Sequence, residues 1–255
     1  MIDIHCHILP DTDDGAAHLE ESKAMALKAL EEGVTTIIAT PHHYNGTYLN
    51  PKFDIFQKTK KLNDAFKAEN IPLTVLPGQE TRIHGDLIKG LELGEILTLA
   101  DGGLYLFVEL PSDHVPRYTP KMLYDIQQQG VIPIIVHPER NKELIEQPGM
   151  LYELVKNGAA TQVTASSITG DFGKKVKTFS MQLIEHELTH FIASDAHGTK
   201  KRPSRMKGAF EEVERKFGVD ASYFFSENAE FLVKGQYIAM NEPQRIKKKK
   251  VFGLF

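Results

Sequence analysis

The chain reads as an α/β protein of parallel strands and covering helices, closed into a barrel. Two patterns predict this. Short, almost continuously apolar runs alternate with helix-like stretches and short connections, the pattern of βα units. At the end of nearly every apolar run stands a histidine, aspartate or glutamate, and the C-terminal strand ends of a parallel barrel converge on the one face where barrel proteins place their chemistry.

In chain order, Ile2-Asp3-Ile4-His5 is the first strand and runs out into His7. A helix over 19–32 ends at Gly33, and a second strand over 36–40 leads to His42. A helix over 53–69 precedes the third strand, 73–76, which leads to Glu80. The fourth strand, 104–108, ends at Glu109. A helix over 119–129 closes at Gly130, and the fifth strand, 132–136, ends at His137. A helix over 142–156 ends near Gly158, before a sixth strand over 160–164. A helix over 174–187 precedes the seventh strand, 191–194, which ends in Asp195 and His197. The chain beyond His197 reads as helical, with a helix over 205–217, so an eighth strand is not expected. Strands this apolar are expected where both faces are covered. The three glycines fall where a left-handed residue closes a last helical turn. No repeat or linker divides the chain, so residues 1–240 are expected to form one domain, with 241–255 a flexible basic and apolar tail.

A chain of 255 residues with 41% apolar and 25% charged residues can bury a core without disulfides. A net charge of −4 gives no general reason to expect nucleic-acid binding. The single cysteine, Cys6, excludes an intrachain disulfide framework and suits a reducing compartment. With neither a leader-like start nor a stretch of roughly 20 apolar residues, a cytoplasmic location is expected.

Strand side chains repeat every two residues, so His5-x-His7 places both imidazoles on one face, and Asp195-x-His197 repeats the arrangement. One such pair is a weak signal. Two pairs, with His42, Glu80, Glu109 and His137 at successive strand ends, describe a site for several metal ions with nitrogen and oxygen ligands. Such ligands, without thiolate, admit Mn, Fe, Zn or Mg. The aspartates from 11 to 14 are partly turn chemistry. His18, His43, His84, His114, His186 and His190 are read as ordinary polar residues in respect of metal.

These residues carry a family resemblance. The opening M-I-D-I-H-C-H-I-L-P-D-T-D-D-G, then T-P-H-H, G-Q-E, H-P-E-R and S-D-A-H-G, resembles the PHP (polymerase and histidinol phosphatase) superfamily. Within it, the chain is similar to the tyrosine-protein phosphatases of bacterial capsule and exopolysaccharide loci, the CpsB/YwqE type, from Met1 to about Phe231. The resemblance implies a distorted (β/α)7 barrel of the PHP fold, with three divalent ions, Mn by preference. It implies that His5, His7, Glu80 and Asp195 hold one ion. Glu80, bridging, would hold a second with Glu109 and His137, and Asp14, His42 and His197 would hold a third. It also implies phosphate-binding arginines. Arg140 and Arg202 match, with Arg205 as a second candidate on the same loop. The implied substrate is a phosphotyrosine protein, a membrane-associated bacterial tyrosine kinase.

The chemistry agrees with the residue types. Divalent ions and arginines neutralise the charge on phosphoryl oxygens, a water between metals ionises near neutral pH, and a phenolate with a pKa near 10 leaves without strong acid help. Arginine can also make bidentate contacts that lysine cannot. Thiol phosphatases place an arginine six positions after their cysteine. Here Thr12 stands six after Cys6, and alternation turns Cys6 away from its histidine neighbours. Tyr44, Tyr48, His43 and His114 are candidates to line the substrate's approach. Two alternatives stay open: a PHP phosphoesterase on a small metabolite such as histidinol phosphate, and a non-catalytic adaptor. In the tail, Arg245, the lysines 247–250 and the apolar end 251–255 could touch an anionic membrane surface.

Overall fold

The computed structural model describes residues 1–247, so the tail from Lys248 onward lies outside the described residues. The order of elements is β1 (Ile2–Cys6), α1 (Leu19–Glu31), β2 (Thr36–Ala39), β3 (His42–His43), α2 (Lys52–Ala68), β4 (Thr74–Pro77), β5 (Glu80–Arg82) and α3 (Leu87–Glu92). There follow β6 (Tyr105–Glu109), α4 (Thr119–Gln128), β7 (Ile132–Val136), α5 (Lys142–Glu146), α6 (Pro148–Lys156), β8 (Ala160–Thr164) and α7 (Ala165–Thr169). The last elements are α8 (Lys174–Glu185), β9 (Phe191–Ala193), α9 (Met206–Phe217) and α10 (Val219–Val233).

All strand pairings are parallel, as the alternating pattern predicts. They form two sheets, β1-β2-β4 and β3-β5-β6-β7-β8-β9. The division has a local cause. The chain leaves the first sheet at Thr40-Pro41 after β2 and at Gly78-Gln79 after β4, and proline offers no N–H to a ladder. Beyond each break the chain resumes as β3 or β5, which carry His42 and Glu80. Thr40 N donates to Cys6 O (3.0 Å) and so extends the β1–β2 pairing, and Glu80 N donates to Pro41 O (3.0 Å) where the chain passes from one sheet to the other. Along the other edge, Asp195 N donates to His5 O (2.8 Å) and His7 N to Ala196 O (2.9 Å), which sets the segment after β9 beside β1.

Side chains alternate between two apolar clusters. Ile4, Ile38, Tyr105, Phe107, Ile134, Val136, Phe191 and Ala193 pack with Ala229 and Leu232 of α10. Cys6, Ile37, Ala39, Leu106, Val108, Ile135, Val163 and Ile192 face the surrounding helices. The register of the β1–β2 pair shifts between Asp3 and Cys6, and the His5 and His7 rings lie 5.4 Å apart.

The helix expected over 142–156 is two helices. Pro148 lacks an N–H and disfavours a helical conformation before it, so Gln147 leaves the helical region (φ −129°, ψ 64°) and α6 restarts with proline in its first turn. Of the tail expected from residue 241, the described part makes contacts. Asn241 Nδ2 donates to Glu187 (3.0 Å) and Gln244 N to His186 O (2.8 Å). Arg245 pairs with Glu153 and lies over the Tyr152 ring, and Ile246 packs against the core.

Candidate metal centre

The nine residues expected as ligands all arrive at one place. His5 and His7 come from the end of β1, His42 from β3, Glu80 from β5, Glu109 from β6, His137 from just past β7, and Asp195 and His197 from just past β9. Asp14 reaches in from the loop after β1. Gly15 permits this, because a Cβ there would lie 2.1 Å from His7 O. Gly78 does the same for Glu80, since a Cβ would meet Ile38 Cγ2 at 2.6 Å. His137 (φ 37°) and Asp195 (φ 50°) hold left-handed backbone, at a cost of about 1–3 kcal/mol each, as residues held by a functional site often do.

Three groups of ligand atoms form, each with its atoms within 4.8 Å of one another: His5, His7 and Glu80; His42, Glu80 and Glu109; and His7, Asp14, His42 and His197. Glu80 stands at the junction. Its Oε2 lies 3.3 Å from His5 Nε2, 3.3 Å from His7 Nε2 and 2.9 Å from His42 Nδ1, while Oε1 lies 2.8 Å from His137 Nε2. Asp195 Oδ1 is 3.5 Å from His5 Nε2 and 3.3 Å from His7 Nε2. Asp14 Oδ1 is 3.4 Å from His42 Nε2 and 3.3 Å from His197 Nε2. The set is more interlocked than the resemblance implies, because His42 also faces Glu80 and Glu109 and His7 also faces Asp14.

The donor chemistry fits divalent cations. His42 Nδ1, Glu80 Oε2 and His197 Nε2 are buried without a hydrogen bond, and such orphaned atoms cost stability unless a partner meets them. Imidazole and carboxylate donors together suit the borderline and hard divalent ions. Electrostatics keeps the key carboxylates ionised. Burial pushes Asp195 up, but Arg140, His5 and Arg202 outweigh it and hold the carboxyl well below its usual range. Glu80 is lowered in the same way, against burial, by His42, His5 and His137. Burial and the neighbouring Glu80 charge raise Glu109 to about 7. Burial and then Arg140 lower His137 to about 3, so its imidazole stays neutral and able to ligate.

Several supporting residues were not singled out in the sequence. Asp13 accepts from His7 Nδ1 (2.7 Å), His42 N (3.0 Å) and Gly15 N (2.9 Å), and His7 outweighs burial in holding it at about 2. Gln162 Oε1 meets His5 Nδ1 at 2.9 Å. Arg82 grips both oxygens of Glu109 at 2.9 Å. Such partners fix the tautomer and orientation of metal ligands. Arg82 had a signal, standing two residues after Glu80, and so had Gln162, a polar residue inside an apolar strand. In a run of aspartates nothing separates Asp13 from Asp14.

Beside the ligands opens a cavity of about 400 Å³, lined by His42, Glu109, His137, Asp195, Arg140 and Arg202, with Phe172 and Leu110 among its apolar walls. Arg140 is aimed by the turn Pro138–Arg140, which Glu139 locks by accepting from Thr164 N (3.0 Å) and Ser167 Oγ (2.6 Å). Arg140 and Arg202 both donate to Asp195 Oδ2, Arg202 at 2.6 Å. Arg205 is turned elsewhere, bonded to Asp171 (2.8 Å), and does not line the cavity. Neither do His43 and Tyr44. His43 is buried with Nδ1 accepting from Asn50 N (3.1 Å), and Tyr44 stacks on His84 with ring centroids 4.3 Å apart. Tyr48 stacks on His42 at 6.2 Å, and His114 is exposed beside Asp113.

The fold and site together describe a metal-centred hydrolase of parallel α/β architecture. A model of the family "Capsular polysaccharide synthesis, CpsB/CapC" matches residues 1–234, and the chain belongs to this family. It is 48% identical over 255 residues, the whole of both chains, to the tyrosine-protein phosphatase YwqE of Bacillus subtilis. It is 38% identical, again over both whole chains, to a putative tyrosine-protein phosphatase, CapC, of Staphylococcus aureus. Its fold superposes with a TM-score of 0.95, at 48% identity over 97% of this chain and 100% of the other, on a structure from work on YwqE of Bacillus subtilis and CpsB of Streptococcus pneumoniae, described as unique metal-dependent tyrosine phosphatases. A β-aspartyl dipeptidase of Fervidobacterium islandicum shares the fold alone, with a TM-score of 0.56 at 18% identity over 95% of this chain and 75% of that one.

Proposed function

We propose that this chain is a metal-dependent protein-tyrosine phosphatase that hydrolyses phosphotyrosine in a bacterial tyrosine kinase serving capsule or exopolysaccharide synthesis. One observation carries the reading: Arg140 and Arg202 line the same cavity as His42, Glu109, His137 and Asp195. Phosphate-binding cations thus stand beside a multidentate metal cradle, in a chain whose relatives are named tyrosine phosphatases.

Three divalent ions, Mn by preference, would be held by His5, His7, Asp14, His42, Glu80, Glu109, His137, Asp195 and His197, supplying positive charge to the phosphoryl oxygens and a water acidic enough to attack at neutral pH. Arg140 and Arg202 present N–H groups to the oxygens on which charge gathers as the P–O bond to the ring breaks. The phosphoryl group passes to water, and the phenolate takes its proton from solvent. No covalent enzyme intermediate is formed.

The two sheets are read as one distorted (β/α)7 barrel of the PHP fold, supported by the bonds from Asp195 N to His5 O and from Glu80 N to Pro41 O. The domain is taken to run to residue 240. No described helix is long and apolar enough to cross a membrane, and a cytoplasmic protein meeting its substrate at the inner membrane face is the proposed setting.

The test pairs elemental analysis with turnover of phosphotyrosine, phosphoserine and histidinol phosphate substrates. Chelator should abolish phosphotyrosine hydrolysis and Mn²⁺ restore it, and Glu80→Ala should lose bound metal. Faster turnover of histidinol phosphate would move the protein to the small-metabolite branch.

A further inference from the structure

We propose that Phe172 is the residue that recognises the aromatic ring of the substrate, held in place by the Asp171–Arg205 ion pair. The inference rests on the phosphatase reading and names what confers aryl selectivity on that site.

Phe172 is the one phenyl ring among the described residues lining the cavity, and it is only partly buried. Its ring stands over the Arg140 guanidinium, 5.3 Å from ring centroid to Cζ. Arg140 thereby has two neighbours of opposite character, the Asp195 carboxylate at the floor and the phenyl ring on the wall. A phosphoryl group gripped by Arg140 would carry its leaving group past that wall. Leu110, Pro111 and Pro138 supply further apolar surface to the cavity. An aryl ring between them meets the partners that stacked or edge-on aromatic contacts favour, and the side chain of phosphoserine ends before reaching them.

The segment that carries Phe172 is shaped for this. It is a short loop between α7 and α8, bounded by Gly170 (φ 100°) and Gly173 (φ 88°), both left-handed. Asp171 N donates to Ser166 O (2.9 Å) and Gly173 N to Gly170 O (2.9 Å), so the loop is tied at both ends. Arg205 Nε donates to the Asp171 carboxylate at 2.8 Å. Arg205 is a positioning residue here: it reaches the substrate only through the loop it holds.

The experiment compares wild type, Phe172→Ala, Phe172→Tyr and Arg205→Gln as metal-loaded full-length enzymes. Substrates are one peptide in phosphotyrosine and phosphoserine forms, with orthophosphate as competitive inhibitor. Phe172→Ala should lower the phosphotyrosine-to-phosphoserine ratio of kcat/KM about 10-fold, through KM for the phosphotyrosine peptide. Inhibition by orthophosphate, which has no ring, should stay unchanged. Phe172→Tyr should keep the ratio, and Arg205→Gln should lower it about 2- to 3-fold in the same parameter. An unchanged ratio in Phe172→Ala overturns the proposal. So does an equal loss on both peptides together with weaker orthophosphate inhibition, because Phe172 would then serve only to hold Arg140. A wild-type enzyme inactive on the phosphotyrosine peptide would sink the phosphatase reading itself, a failure distinguishable from either of these.

Discussion

Asp195 stands between the proposed metal ligands and the two arginines proposed to bind phosphate. One oxygen faces His5 and His7, and the other accepts from both Arg140 and Arg202. The arginines, proposed to bind phosphate, thus each also neutralise a proposed ligand. Arg140→Ala should therefore lower kcat by about 10² to 10³ and also loosen the ion nearest Asp195. Activity within tenfold of wild type would end its assignment. Cys6 makes the opposite case. Burial, then Asp3, pushes its thiol well above the usual value, and Sγ packs in the outer cluster 3.8 Å from Ala196 O. A thiol kept protonated is no nucleophile. Cys6→Ser should keep most of its activity and stay sensitive to chelator, at a cost in stability of about 1–3 kcal/mol for the buried hydroxyl. An inactive, folded and metal-replete Cys6→Ser enzyme would refute the mechanism.

At the scale of elements, the strand ends were legible because chemistry and periodicity coincide there. All seven predicted strands are present, and the ligands follow them. What was not legible depends on contacts distant in sequence. The short strands β3 and β5 follow the points, Pro41 and Gly78, at which the chain leaves the first sheet, and nothing local shows that it re-enters a ladder. The chain beyond His197 was read as helical without bounds for α10, whose buried stripe, Phe225, Asn228, Ala229 and Leu232, includes an asparagine. Asn228 satisfies itself by donating to His190 O and Ala239 O and accepting from Ala239 N, partners no local pattern announces. The turn after β1 carries its own prediction. Gly15→Ala would drive a methyl into the His7 carbonyl, so the turn must move and take Asp13 and Asp14 with it. Bound metal should fall, and KM for substrate should rise, while the melting temperature of the chelated protein drops by only a few degrees. Full metal occupancy in Gly15→Ala would show that the turn does not position these ligands.

For the molecule as a whole, the start of β9, α10 and the chain after it form a second polar assembly. Tyr105 Oη donates to Gln236 O (2.8 Å) and accepts from Ile238 N (2.9 Å), while Asn228 binds Ala239. His190 lies within this assembly, almost wholly buried, and burial lowers its pKa from 6.5 to about 4. The cause is visible in its bonds. Nδ1 accepts from Thr161 N (3.1 Å), so a proton added there would point at another donor, and no carboxylate bonds to the ring. Because the folded state binds this proton more weakly than the unfolded chain, the neutral ring contributes its full stability above pH 6.5. That contribution is lost as pH falls from 6.5 toward 4, by about 3 kcal/mol in total. Asp3, raised to about 6 chiefly by burial, acts in the opposite direction over part of the same window, so the wild-type profile alone cannot isolate the effect. The difference between two profiles can. His190→Gln offers Thr161 N an acceptor that does not titrate in this range. Chemical denaturation of metal-free protein from pH 7.5 to 4.5 should find wild type losing about 2–3 kcal/mol more than His190→Gln. Parallel profiles for the two proteins would mean that His190 keeps an ordinary pKa in the folded state, and that acid sensitivity originates elsewhere.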